Sequence, residues 1–456
     1  MPTPLSSPPR PKTDLRRVAI LFSGGPAPAA NAVIASAASC FSKVGIEVLG
    51  IRNGYSQLME YKPPSRLEEG VAYAILDHRD LEGARTSSGI MIGTARANPG
   101  KLCKEPKDLD DPKKTAPLQT TYDALRSLEV DALISIGGDD TLTTAAKFKL
   151  FQDRMPADKK RIRVVHLPKT IDNDYQGIDF TFGYFSAVEM LATQCRNLLA
   201  DAVAARAYFI AQVMGRKAGW LAYGAAIAGE ANLVIGLEDI PKEWWYQEIT
   251  VSPKTGKQVI DEKTGKPQQR DVFKVDAVVS RIVDMMEVRH REGKPYGVIV
   301  MAEGLGEYLP LDVIHTCVSE EEYRSLEPDE FGHFPVSQLK FSSRFGRLAS
   351  EEFQRRTGKK AKVNGVQFGY EVRCHRPTAF DVALGSQLGV GAYRALAEEG
   401  KNGVMVSVSG QLALLYAPFE KLINYDILRA NDRPISPGED FHLLARYLEP
   451  RVEEKG

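Results

Sequence analysis

Apolar residues along this chain fall in short, nearly unbroken runs, each followed by a glycine-rich turn or a polar cluster. The runs are "RRVAILF" (16–22), "IEVLGI" (46–51), "DALISI" (131–136), "RVVHL" (163–167), "AYFIAQV" (207–213), "ANLVIG" (231–236), "YGVIVMA" (296–302) and "NGVMVSV" (402–408). Most are rich in β-branched residues and lack clean alternation, which predicts strands of parallel sheets covered on both faces. Between them lie segments with helical spacing, among them "AANAVIASAASCF" (29–41), "YFSAVEMLATQCRNLLADAV" (184–203) and "DAVVSRIVDMMEVRHREG" (276–293). Strands alternating with helices over this length predict an α/β fold with open sheets and ligand sites at the strand ends.

Residues 250–271, "TVSPKTGKQVIDEKTGKPQQRD", break the pattern and carry "KTGK" twice. They read as an exposed hairpin or loop insertion, with a lysine-rich anion site as the sharper alternative. In the preceding "PKEWW", Trp244 and Trp245 suggest a packed aromatic pair or a subunit contact.

Composition narrows the function classes. Of 456 residues, 43% are apolar and 26% charged, enough to bury two cores. Lysine plus arginine equals aspartate plus glutamate at 59 each, so no global field draws in nucleic acid or an anionic membrane. Cys40, Cys103, Cys195, Cys317 and Cys374 are scattered and show no C-x-x-C spacing, which argues against a disulfide framework and a zinc site and fits a reducing cytoplasm. The start "MPTPLSSPPRPKT" has no apolar signal core and reads as a disordered, proline-rich tail over 1–15.

Candidate chemistry sits where predicted strands end. "GGDDT" (137–141) puts Asp139 and Asp140 in a turn whose N–H groups would ordinarily face a phosphate. "PKTIDND" (168–174) adds Asp172, Asn173 and Asp174 after another strand, a costly set of polar side chains unless they meet a cation, donors or a substrate hydroxyl. Four carboxylates at two strand ends suit Mg²⁺, which is held by one or two carboxylates together with substrate phosphates, leaving another aspartate free to act as a base. "MGRKAGW" (214–220) supplies Arg216 for a phosphate, although a lone arginine past a strand is a weak signal. Glu303 in "AEG" (302–304) could accept from sugar hydroxyls or simply be solvated, and "FGYEVRCHRP" (368–377) gathers Tyr370, Arg373, His375 and Arg376 as an anion pocket or a salt-bridged loop.

These five stretches in this order, with "SGGPAPAAN" (23–31) and "GTAR" (93–96), resemble the phosphofructokinase family from about residue 17 to about residue 430. The resemblance implies two Rossmann-like three-layer domains with mainly parallel sheets and an active-site cleft between them. The donor domain would take residues 16–183 and about 372–430. The fructose 6-phosphate domain would take 184–371 and about 431–456, with the insertion at about 242–275.

It also implies roles. Asp139 would hold Mg²⁺, Asp172 would be the base for the sugar 1-hydroxyl, and Gly24, Gly25, Arg96 and Lys169 would face the donor phosphates. Thr170, Ile171, Asp172, Asp174, Met214, Gly215, Arg216 and Glu303 would line the sugar site, with Tyr370 and Arg373 on its 6-phosphate. Members of the family are dimers or tetramers.

Two positions bear on the donor. ATP-using members typically read "GGDGS" or "GGDGT" and "PGTIDND", whereas this chain reads "GGDDT" and "PKTIDND", as pyrophosphate-dependent members do. A carboxylate at 140 fills the space a nucleotide backbone needs and repels its α-phosphate, and Lys169 adds a cation beside a donor that lacks adenosine contacts. The expected activity is reversible phosphoryl transfer from pyrophosphate to fructose 6-phosphate. The alternatives are an ATP-dependent 6-phosphofructokinase and a catalytically inactive regulatory paralogue. Pro26 stands where ATP-using members commonly have aspartate, and Ala29 replaces a frequent glycine.

Overall fold

In the computed structural model, which describes residues 5–261, 264–326 and 335–453, the chain divides into two units, Met1–Ser186 with Arg373–Arg433 and Ala187–Val372 with Pro434–Gly456. The first unit is built on a sheet whose strands begin with β1 (Arg17–Ser23), β2 (Glu47–Ile51), β3 (Tyr73–Ile75), β4 (Ala132–Gly137) and β5 (Arg163–Pro168). The second unit supplies β6 (Tyr208–Val213), β7 (Leu233–Ile235), β8 (Trp245–Ile249), β9 (Gln269–Phe273), β10 (Gly297–Ala302) and β11 (Val363–Phe368). The chain then returns to add β12 (Val404–Ser409) and β13 (Ala413–Pro418) to the first sheet.

That sheet has the order β13-β12-β5-β4-β1-β2-β3. Its five inner strands pair in parallel, and the edge strands β3 and β13 pair antiparallel to β2 and β12. β4 is buried at all six positions and β1 at all but its first, which explains the unbroken apolar runs. The helix Ala30–Lys43 is almost wholly buried and packs through small residues against the helix Ala379–Tyr393. A Cβ at Gly389 would lie 2.6 Å from the Val33 carbonyl oxygen, so these helices approach at a distance only glycine permits. Gly389→Ala is expected to cost roughly 1–3 kcal/mol in overpacking, measured as a lower denaturation midpoint in urea.

The second unit carries a parallel sheet of order β11-β6-β10-β7. Its core joins Ile210, Ile299 and Met301 of the sheet to Val278, Ile282 and Met286 of the helix Val275–Arg291 and to Phe341, Phe345 and Phe353 of the helix Phe341–Thr357. The insertion forms a two-stranded ribbon in which β8 pairs antiparallel with β9, extended by the bridges Val251↔Gln258 and Ile260↔Pro267. Trp245 packs edge-on to Tyr308 with ring centroids 5.2 Å apart and donates its Nε1–H to the Ile240 carbonyl. The aromatic contact thus joins ribbon to core instead of pairing the two tryptophans with each other.

Among the described residues, three strands of the two main sheets escape the hydrophobic pattern, each for a local reason. β11, "VNGVQF", is an edge strand only partly buried along its length, β13 is an edge strand with half-exposed residues, and β3 has three residues. The expected run at 231–236 shortens to Leu233–Ile235, and just before it the Asn232 side chain accepts the Val298 N–H at 2.9 Å.

Candidate active site

Three strands of the first sheet end in one row: Ser23 of β1 is paired with Gly137 of β4, and Gly137 with Pro168 of β5. The residues that follow are therefore neighbours: Gly24 and Gly25, then Gly138, Asp139 and Asp140, then Lys169 to Asp172. β1 connects onward to β2 on one side and lies against β4 on the other. This is the point in a doubly wound sheet where ligand crevices open.

The β1 turn is tied to the loop that carries Arg96. Gly24, at φ 94, donates its N–H to the Ala95 carbonyl at 2.9 Å, and the Thr94 hydroxyl donates to the Gly24 carbonyl at 2.6 Å. Arg96 itself is exposed. Ala29 sits in the left-handed region at φ 64, so the turn keeps a glycine-like backbone without the glycine. Arg373 lies against Gly25: a Cβ there would be in ordinary contact with the guanidinium carbon, at 3.7 Å. The structure thus seats Arg373 against the β1 turn of the first unit, while Tyr370, 67% exposed, belongs to the second.

Asp139 and Asp140 open the helix Asp139–Asp153, half-buried, with Gly138 as its N-cap. Both carboxylates sit at the positive end of the helix dipole. Two turns along, the buried Lys147 ammonium reaches the Gly100 carbonyl at 3.3 Å. Burial lowers its affinity for a proton, while Cys103 and Asp140 pull the other way.

Lys169 is 8% exposed. Burial pushes its ammonium down to about 8; Asp172 opposes that shift, Arg373 reinforces it, and Asp174 and Asp139 oppose it. Four of the residues singled out in the sequence therefore share one electrostatic neighbourhood with Lys169. Below them, the Tyr175 hydroxyl donates to the Gly137 carbonyl at 2.9 Å and meets His166 Nε2 at 3.0 Å. Burial pushes His166 down to about 3, so this prop under the turn is a neutral imidazole.

The turn holding Asp172 is built from its own polar residues. Asp172 donates its N–H to the Thr170 hydroxyl at 3.0 Å, and the Thr181 hydroxyl donates to the Thr170 carbonyl at 2.7 Å. Thr170 and Ile171 are buried, and Asp172 and Asp174 are half-buried.

In the second unit three strand ends again coincide, Val213 of β6 facing Ala302 of β10 and Phe368 of β11. Met214 to Arg216, Glu303 and, two residues past Phe368, Tyr370 follow them. Gly304 donates its N–H to the Gly215 carbonyl at 3.1 Å, and a Cβ on Gly304 would fall 2.1 Å from the Arg216 carbonyl oxygen. Glycine at 304 is what lets the Arg216 and Glu303 turns lie together. Glu303 is buried and Arg216 half-buried.

Among the described residues no group of three histidine, cysteine or acidic side chains could hold a metal alone.

The family pattern of phosphofructokinase matches residues 17–260. The chain belongs to the phosphofructokinase family. It is 31% identical over 448 residues to a pyrophosphate--fructose 6-phosphate 1-phosphotransferase of Naegleria fowleri, covering 96% of this chain and 88% of that protein. An ATP-dependent 6-phosphofructokinase of Corynebacterium efficiens is 30% identical over 396 residues, covering 87% and 90%. In fold, the pyrophosphate-dependent phosphofructokinase of Marinobacter aquaeolei superposes with a TM-score of 0.60 at 16% identity, covering 96% and 93%. Relatives named for both donors thus lie at similar identity, and the family gives the acceptor, fructose 6-phosphate. Among the described residues no helix of this phosphofructokinase is long and apolar enough to cross a membrane.

Sequence reasoning missed two features of this candidate site. One is the His166–Tyr175 prop, whose histidine was read only as part of a strand. The other is Arg433, which lies in "RANDRP" (429–434), far from any motif.

Proposed function

We propose that this chain transfers a phosphoryl group from pyrophosphate to the 1-hydroxyl of fructose 6-phosphate, reversibly, giving fructose 1,6-bisphosphate and phosphate. The observation that carries the donor choice is the pair at adjoining strand ends: an acidic Asp140 beside Asp139, and a buried Lys169 in the field of Asp172, Asp174 and Asp139. Asp140 occupies the approach a nucleotide backbone needs, and the Lys169 ammonium compensates a compact, highly charged donor.

In this reading the Asp172 carboxylate accepts the hydroxyl proton as the 1-oxygen bonds to the near phosphorus. The bridging P–O bond breaks and its electron pair leaves with inorganic phosphate. Lys169 and Arg216 stabilise charge on the transferring group and the leaving phosphate. Gly24, Gly25 and Arg96 seat the donor. Thr170, Ile171, Asp174, Met214, Gly215 and Glu303 position the sugar, with Tyr370 and Arg373 on its 6-phosphate; the seat of Arg373 against Gly25 favours a share in the donor phosphates as well. Asp139 would hold Mg²⁺, which when bound neutralises phosphoryl oxygens. We place the enzyme in the cytoplasm as a homodimer or homotetramer.

A donor panel tests the reading: purified protein, fructose 6-phosphate and Mg²⁺ with pyrophosphate or ATP. Brisk turnover with ATP and none with pyrophosphate would assign it to the ATP-dependent members, and no turnover with either would make it a regulatory paralogue.

The depressed Lys169 carries a pH prediction. The ordinary lysine value is 10.5 and the folded value about 8, so kcat/KM for pyrophosphate should fall as pH rises through about 8 and the ammonium is lost. Stability moves oppositely. Between about 8 and 10.5 the unfolded chain keeps a proton the folded chain has released, so this group's contribution rises with pH across that window. Lys169→Met should abolish both effects, read from pH–rate profiles and urea unfolding.

A further inference from the structure

The peptide after Asp172 is held by a side chain from the far end of the chain. Asn173 is fully buried at φ 55, a left-handed conformation that few residues other than glycine and asparagine adopt and that its surroundings hold in place. Its own amide does part of this: Oδ1 accepts the Thr181 N–H at 3.0 Å, and Nδ2 donates to the Asp179 carbonyl at 3.3 Å. The rest is Arg433. Its guanidinium donates to the carbonyls of Asn173 at 2.8 Å, Ile178 at 2.7 Å and Asp179 at 2.9 Å. Its backbone N–H donates to the Asp174 carbonyl at 2.8 Å, and the preceding residue, Asp432, bridges to Tyr175.

One side chain therefore grips the main chain immediately after Asp172 and again where the loop turns back. The Asn173 carbonyl belongs to the Asn173–Asp174 peptide, one residue beyond Asp172, and rotating it would shift the turn that carries the Asp172 carboxylate. We propose that Arg433 is a positioning residue for the catalytic base, its rigid fork fixing the Asn173 peptide and through it the aim of Asp172. The proposal rests on the reading of Asp172 as proton acceptor. A rigid planar fork reaches carbonyls that lie apart and fixes their directions, whereas the lysine ammonium offers its three donors from a single point on a flexible stem. A misplacement near 1 Å in a catalytic group costs about a hundredfold in rate.

The test is a double-mutant cycle on the full chain with Arg433→Ala, Arg433→Lys, Asp172→Asn and the doubles, each checked for folding by circular dichroism and urea unfolding. Arg433→Ala should lower kcat by about ten- to a hundredfold while the KM values for fructose 6-phosphate and pyrophosphate stay within about threefold. Arg433→Lys should fall between. Millimolar guanidinium, too dilute to denature, should restore part of the kcat of Arg433→Ala. In the Asp172→Asn background, removing Arg433 should cost little more, because no base remains to be aimed. An unchanged kcat in folded Arg433→Ala, or an equal loss in both backgrounds, would overturn the proposal and leave the role of Asp172 standing. Should Arg433→Ala not fold, the Arg433→Lys cycle makes the same comparison. A wild-type rate in Asp172→Asn alone would sink the base assignment itself, and the route through it.

Discussion

Replacing Asp172 with asparagine should reduce kcat by roughly a hundred- to ten-thousandfold, the range spanned by positioned general bases. The substitution is nearly isosteric and keeps the backbone N–H bond to Thr170, so the turn should hold its shape. What disappears is the proton acceptor. KM for fructose 6-phosphate should therefore change only a few-fold, and the signature is a loss in kcat matched by an equal loss in kcat/KM. Lys169 sharpens the expectation, because Asp172 is the strongest charge holding that ammonium protonated against burial. The variant should accordingly show its alkaline limb at a lower pH than the wild type. Stopped steady-state assays across pH measure both, and a retained rate would remove Asp172 from the base role.

Asp140→Gly should weaken the preference for pyrophosphate by about a hundredfold or more in the ratio of kcat/KM values for pyrophosphate and ATP. Unit charges about 4 Å apart interact by roughly 4 kcal/mol at an effective dielectric near 20, and partial exposure of Asp140 trims that figure. The change removes both the bulk and the repulsion that face a nucleotide α-phosphate. A vigorous ATP enzyme need not result, since an adenosine pocket requires more than one vacancy. An unchanged donor ratio would mean that selection lies elsewhere, with Lys169 the next residue to test. The helix should tolerate the glycine at its first turn, where Asp140 contributes mainly a favourable charge–dipole term of about 0.3–1 kcal/mol.

Both predictions concern residues that could be named before any coordinates, because each lies at the end of a buried strand. Strands covered on two faces leave continuous apolar runs, and glycine-rich turns and aspartate clusters directly after them stand out against that background. The α/β class and the residues at the ends of β1, β4, β5, β6 and β10 were legible on those grounds. Edge strands were not: β11, "VNGVQF", and β13, "ALLYAP", bury only part of their surface and carry no unbroken β-branched run like those of the inner strands.

The sequence by itself determined which chemical groups are available and which strand end carries each, since those follow from local hydrophobic runs and turns. Only the tertiary structure decided that Ser23, Gly137 and Pro168 end in one row, that Arg373 lies against Gly25, and that Arg433 returns across 260 residues to grip the Asn173 carbonyl beside Asp172. The physical reason is that sheet register and long-range hydrogen bonds are set by the simultaneous packing of both faces. Nothing in the residues around position 433 signals which distant carbonyls they will meet.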